Sequence, residues 1–516
     1  MKPVLAALLL ATALALPRPT RADGETEQLI AAAREDGQWS VVALLYTRLI
    51  DSGAAEGPEL SELHHGRAEA YHRLGDLDSA FADCESAIEA APHLGAGFRC
   101  RGEIALEKGD IDGALADLDR AIALDPENGD GYHLRGVALL QLGDFGAALD
   151  DLDNAIALGA ATAAAYTDRC ACYHGMGQIA LAEEDCRAAI AADPAYGWAY
   201  NNMALLHWQQ NDTAAALEML DRAVELLPDE MLPRRNRAGV LYERGAYDRA
   251  IADHDMLLAA DPYDALTYDH RGMAHAGNGD FDRAIADHRE SLRLAPRDGY
   301  TLANLGYALI ASGRLAEGEP LMEEAIATTG GDPWLYGLLG HAYLAAGENA
   351  EAVAAFQRGW DQRGDPALLA GLAIGLARLG DRSGLDRVAE EIVAVDPYHQ
   401  ASRQHLAEAY LAIGDPEAAL RHINAGLASA PGVAETHHIA GLILTRLGRV
   451  EPALADFGQA MEIGGTSRIR GYHRRLAALG YDPGPDENRR TPAFDAALRA
   501  CVEAGCDLSL GIARPD

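Results

Sequence analysis

The sequence predicts an all-α chain: antiparallel helical hairpins stacked in a row as an α-solenoid, closed by a small helical cap. Three observations predict it. Gly75, Gly109, Gly143 and Gly177 recur every 34 residues, as do Ala80, Ala114, Ala148, Ala182, Ala216, Ala250 and Ala284. Pro194, Pro228, Pro262 and Pro296 keep the same interval. A fixed period of this size marks supersecondary units that bury apolar surface only against their neighbours, so the core is a continuous strip rather than a single globule.

Each unit can be justified position by position. Units start at Ser61, Gly95, Gly129, Ala163, Gly197, Met231, Ala265, Gly299 and Pro333, and after the loss of one residue at Pro366, Gln400 and Ala434. Position 8 holds only small residues, among them Ala68, Gly102, Gly136, Cys170 and Gly441, and position 20 is Ala except at Gly318 and Leu385. Helices approach closely only where side chains are small, so these positions are where the first helix of a unit (helix A) meets the second (helix B). Position 15 is Gly in every unit but one, where Asn211 stands, as a left-handed helix end requires. Position 32 is Pro in eight units, including Pro92, Pro126, Pro397 and Pro431, and proline there stops helix B.

These residues resemble the tetratricopeptide repeat (TPR) family, whose aromatic at position 11 is matched by Tyr71, Tyr343 and Tyr410. The resemblance covers residues 61–465, about twelve units. It implies a right-handed superhelix with a concave groove, and a scaffold that binds proteins or extended peptides rather than an enzyme.

Positions 7 and 23 vary together. Arg67 goes with Asp83, Arg101 with Asp117, Arg135 with Asp151, Arg169 with Asp185, Arg237 with Asp253 and Arg271 with Asp287. Where position 7 is apolar, as at Met203, Leu305, Leu339 and Leu372, position 23 loses its Asp as well. Contact between helices A and B of one hairpin is the simplest cause, and an Arg–Asp pair is expected in six hairpins. Gly330, Gly331 and Gly364 stand near prolines lost from the unit ends, so a bend is expected near 328–366.

The flanks differ from the array. Residues 1–22 read as a signal peptide: Lys2, then an apolar run from Val4 to Leu16, then small Thr20 and Ala22 for cleavage before Asp23. The run is short and Ala-rich for a membrane span. The expected location is the periplasm or outside the cell, with no membrane insertion after cleavage. Residues 23–60 form one degenerate hairpin turning at Gly37, an N-terminal cap. Residues 466–516 leave the repeat. Arg474 to Tyr481, followed by Gly484, Asp486 and Thr491, resemble a degenerate peptidoglycan-binding-type module in which Glu487-Asn488-Arg489-Arg490 replace a glycine-rich turn. A cap over the last repeat and a contact to peptidoglycan are both open readings.

Composition excludes other classes. The formal net charge is −36, which gives no basic footprint for nucleic acid. No phosphate-binding loop, nucleophile elbow or zincin motif is present, and no cofactor or metal is expected. His64-His65 and His437-His438 are sequential and point to different helix faces. His254 and His288 share position 24, which packs inside the hairpin, so they are expected in the core. Seven cysteines suit an oxidising compartment. Cys501–Cys506 could close a local loop and Cys170–Cys186 fall on facing helices; bonding and simple burial remain alternatives.

The resemblance places positions 2, 5, 9 and 12 of helix A in the groove. Early units put His65, Glu69, Arg99, Glu103 and His133 there. The middle puts Trp198, Asn201, Trp208, Arg235, Tyr300, Tyr307, Trp334 and His341 there, and these are the candidate protein- or peptide-binding residues. Rings would supply contact area, Asn would bond a peptide backbone and Arg a carboxylate. Packing between adjacent A helices is the alternative. The expectation is an exported, non-enzymatic scaffold of the bacterial cell envelope; the alternatives are a wall-associated structural protein and a regulatory subunit of an envelope enzyme.

Overall fold

A computed structural model describes residues 24–395 and 400–509. The signal-peptide reading and Pro397 fall outside them. The described residues form helices and no strand. By their internal contacts they divide into two compact units, one ending at Val240 and one starting at Leu241.

Local chemistry sets the helix boundaries. Asp76, Asp110, Asp144 and Asp212 each accept a hydrogen bond from the backbone N–H three residues on, capping helix B of their hairpins. Immediately before them, Gly75, Gly109, Gly143 and Asn211 adopt φ of 76°, 77°, 77° and 61°, the left-handed turn that ends helix A. Position 15 takes this conformation in every unit. Gly330, Gly331 and Gly364 also have positive φ, so the turns between units near 328–366 are built on left-handed glycine instead of proline.

Close packing explains the small positions. A Cβ on Gly136 would lie 2.9 Å from Leu152 Cγ and 3.4 Å from the Ala148 carbonyl, so position 8 meets positions 20 and 24 of helix B. Gly102 meets Leu118 and Ala114 in the same way. His254 and His288 are buried at position 24, as expected, where Leu118, Leu152 and Leu220 stand in other units.

The amino-terminal unit starts with a hairpin, Gly24–Glu35 (α1) and Trp39–Asp51 (α2), that turns at Gly37. Pro58–Arg73 (α3), Leu77–Ala90 (α4), Gly95–Glu107 (α5) and Ile111–Leu124 (α6) follow as the first two repeat hairpins. Arg67 of α3 ties the array to α2, its Nη1 donating to Thr47 Oγ1 at 3.0 Å.

Five of the expected charged pairs form as positions 7 and 23 predict. Arg67–Asp83, Arg101–Asp117, Arg135–Asp151, Arg169–Asp185 and Arg271–Asp287 are each bidentate, through Nε and Nη2, at 2.7–2.8 Å. The sequence did not suggest the second half of the pattern. The remaining Nη1 reaches back to an acid on helix B of the preceding unit: Arg135 to Asp119, Arg169 to Asp153, Arg237 to Asp221 and Arg271 to Asp255, at 2.6–3.0 Å. The guanidinium of Arg135, Arg169 or Arg271 therefore fastens its own hairpin and the one before it. Where the next unit has Met203 or Leu305 at position 7, that acid is replaced by Arg187 or Arg289.

Six of the seven cysteines form disulfides. Cys170–Cys186 crosses one hairpin and Cys501–Cys506 closes the last turn, while Cys84–Cys100 joins helix B of one unit to helix A of the next. Cys172 is free and buried, and burial pushes its thiol up to about 12.

In the carboxyl-terminal unit one apolar core runs from Leu302 to Leu508. Helix Val450–Ala478 breaks at Gly465 (φ 60°), and its second half turns back as the tail. Tyr472, Leu476, Phe494, Leu498 and Cys501 of the tail are buried in the same core as Phe457 and Met461 of the last repeat. His438 Nδ1 lies 2.6 Å from the Tyr472 hydroxyl across that seam. The tail covers the open end of the array.

Candidate protein-binding face

The A helices carry the candidate residues, and the two units are taken separately. In the carboxyl-terminal unit, Asp298 caps Gly299–Ala311 by accepting from the Tyr300 and Thr301 N–H groups at 2.9 and 2.8 Å. Asp332 caps Pro333–Ala346 by accepting from Trp334 N–H at 3.0 Å. Its second oxygen accepts the Tyr300 hydroxyl at 3.1 Å. One carboxylate thus ties the Tyr300 hydroxyl to the start of the Trp334 helix, and the two ring centroids lie 5.9 Å apart at 57°. The bond to Asp332 also holds the Tyr300 phenol above its ordinary pKa. Tyr300 and Trp334 remain 51% and 46% exposed. Two large aromatic side chains in contact, one of them hydrogen-bonded, yet half open to water form a contact surface with part of its ordering cost already met.

The other candidates in this unit differ. Tyr307 is half-buried against the core, so it packs rather than presents. His341 is exposed, with its ring edge-on to Phe356 at 5.2 Å. The sequence reading missed Leu266, which is 52% exposed at the same position 2 as Tyr300 and Trp334. The 34-residue alignment carried that signal.

In the amino-terminal unit, Asn201 is only 2% exposed and its Oδ1 accepts from Asn236 Nδ2 at 2.8 Å. Burial takes it out of reach of a peptide backbone; it stitches adjacent A helices instead. The same stitch, position 5 to position 6 of the next unit, joins His133 to Asp168 at 2.7 Å, and in the other unit Asp269 to Asn304 at 3.0 Å. Trp208 is half-buried over Gly239, where a Cβ would lie 2.7 Å from its ring, so it is a filler between units. Trp198 and Arg235 are half-buried, and Leu232 at position 2 is 50% exposed. Arg99 is committed to Asn128 and Asp130 at 2.8 and 3.0 Å. Of the expected eight, Tyr300, Trp334 and His341 are exposed, Trp198, Trp208, Arg235 and Tyr307 are half-buried, and Asn201 is buried.

Among the described residues no cluster of three or more His, Cys, Asp or Glu is placed to hold a metal ion. No described helix is long and apolar enough to cross a membrane.

Family models described as tetratricopeptide repeats match residues 61–94, 102–143, 201–265, 271–333, 309–374 and 406–467. The chain belongs to the tetratricopeptide repeat family. TPR arrays serve as protein-interaction scaffolds, and this chain shares that architecture. No curated protein matches it by sequence. Among solved structures, yeast Tom70 is similar at 15% identity, with a TM-score of 0.40 over 82% of this chain and 99% of that one. The Cut9–Hcn1 hetero-tetramer of the APC/C is similar at 16% identity, TM-score 0.36, over 84% and 92% of the two chains. A tetratricopeptide repeat protein of Parabacteroides merdae is similar at 19% identity, TM-score 0.37, over 48% and 98%.

Proposed function

We propose that this TPR protein is an exported, non-enzymatic scaffold of the cell envelope that holds another polypeptide on the A-helix face around Tyr300 and Trp334. The observation that carries the reading is the ring pair. Consecutive A helices present aromatic side chains at one repeat position, half exposed and in contact with each other, and the Tyr300 hydroxyl is held by Asp332, the cap of the Trp334 helix. Exposed aromatic anchors of this kind supply most of the energy in protein contacts. The apolar amino-terminal run after Lys2 supports export, and six disulfide-bonded cysteines suit an oxidising compartment. The tail reads as a cap, because its buried residues complete the core of the last repeat. The test is capture of partners from envelope extract by the wild-type chain and by Tyr300→Ser/Trp334→Ser, with circular dichroism to show unchanged helix. Equal capture by both proteins rejects the assignment of this face.

A further inference from the structure

The last repeat keeps only half of the arginine pattern. Asp119, Asp153 and Asp221, which receive Nη1 of the next hairpin's arginine, all stand at position 25 of their hairpins. In the last repeat position 25 is Gly458. A guanidinium reaches it all the same. Arg490 of the tail brings its Nη1 to 3.3 Å from where a Gly458 Cβ would stand. Its Nε donates to Asp495, as Nε of Arg135 donates to Asp151. Nη1 of Arg135 then meets Asp119, whereas Nη1 of Arg490 meets no acid among the described residues.

Beside that Nη1 lies a cleft of about 500 Å³, walled by the two halves of helix Val450–Ala478 and by Arg490. Leu454, Met461 and Ile469 make its wall mainly apolar. Glu462 is the one carboxylate in the lining; it is exposed and accepts from Gln459 Nε2 at 3.1 Å. Leu454, Gly458 and Gln459 lie in the interior of a helix, where backbone N–H and C=O groups bond each other. This wall therefore gives a peptide backbone few partners, while it suits a chain of methylenes.

We infer that this cleft binds an alkyl carboxylate, a single apolar chain that ends in one carboxylate. The carboxylate takes the place that Asp119 fills against Arg135, accepting from Arg490 Nη1 in a charge-assisted bond. The chain lies on Leu454, Met461 and Ile469, which removes apolar surface from water, and the unbranched Met461 adapts to its shape. The inference is independent of the ring pair, because the cleft is built from the last helix B and the tail rather than from A helices.

The test is isothermal titration calorimetry of the full chain with decanoate, with uncharged decanol and with N-acetyl-Leu-Leu, whose carboxylate ends a peptide. Decanoate is expected to bind saturably at one site, and decanol at least about tenfold more weakly. Gly458→Asp supplies the acid found at position 25 elsewhere. It is expected to weaken decanoate at least about tenfold without lowering the melting temperature. Arg490→Gln should weaken decanoate likewise, and Arg289→Gln, an exposed arginine of an earlier repeat, should leave it unchanged. Binding of decanoate and decanol that is equal or undetectable overturns the inference, as does unchanged binding to Gly458→Asp or an equal effect of the two arginine substitutions. Tighter binding of N-acetyl-Leu-Leu than of decanoate overturns the choice of an alkyl chain. The decanoate and decanol comparison holds on the wild-type chain whatever the variants do.

Discussion

Arg135 donates through Nε and Nη2 to the two carboxylate oxygens of Asp151, both at 2.7 Å. Asp151 is only 4% exposed, so its charge depends on that fork. Lysine could not replace it, because one ammonium cannot meet two oxygens and still reach Asp119. Breaking one partner of a buried pair costs about 3–5 kcal/mol, while replacing both with apolar residues is often neutral. The chain contains the apolar version at the same positions, Met203 with Met219. Arg135→Met is therefore expected to lower the urea midpoint strongly, and Arg135→Met/Asp151→Met to recover most of the loss. Equal destabilisation by the single and double variants would reject register-setting by the pair.

The buried histidines give the fold an acid limit. Burial lowers His254, His422 and His438 to about 4; His270 adds to the effect on His254 and Arg403 to that on His422. An unfolded histidine titrates near 6.5. Between those values the unfolded chain binds protons that the fold refuses, so stability falls as pH drops from about 6.5 toward 4 and is insensitive to these groups above. Each histidine accounts for up to roughly 3 kcal/mol. His254→Leu restores the residue found at Leu118, Leu152 and Leu220 and removes a buried Nδ1 that has no partner. Melting curves at pH 7 and pH 4.5 should show a smaller acid-induced drop for this variant than for wild type.

The array is easier to read from sequence than the face it presents. Position 15 is legible because only Gly and Asn tolerate the left-handed turn, and position 8 because Gly136 leaves no room for a Cβ against Leu152. Both constraints repeat a dozen times, so the chain serves as its own alignment. The Arg135–Asp151 contact was legible as covariation, but the reach to Asp119 was not, since it crosses between units. Residues such as Trp208 and Asn201 misled for a physical reason: a position on helix A can face a partner or the next helix A. Residue type does not decide which; the neighbour does, as Gly239 does beneath Trp208.

That close approach can be tested directly. Gly136→Ala would place a Cβ 2.9 Å from the buried Leu152 side chain. Overpacking of this kind costs about 1–3 kcal/mol. Gly146→Ala, in the same hairpin, meets only an Asp144 oxygen at 3.9 Å and should be neutral or slightly stabilising. Thermal melts that rank the two variants the other way would contradict the assignment of helix contacts.

Disulfide chemistry offers an independent check. The native oxidised protein should show no thiol accessible to Ellman's reagent, and one after unfolding, from Cys172. Cys170→Ser/Cys186→Ser opens a loop of 16 residues and should cost about 3 kcal/mol on the chain-entropy account. Three or more thiols in the unfolded, unreduced chain would show that the paired cysteines are not bonded.

The most direct measurement of the central claim is quantitative partner capture from envelope extract by wild type, by Tyr300→Ser/Trp334→Ser and by Tyr263→Ser. Tyr263 is a more exposed ring that lies in the turn between two hairpins, at 75% exposure. The account predicts that the double variant loses at least tenfold of the captured partner with its helix content intact, and that Tyr263→Ser captures as wild type does. Undiminished capture by the double variant, or an equal loss from Tyr263→Ser, would contradict it.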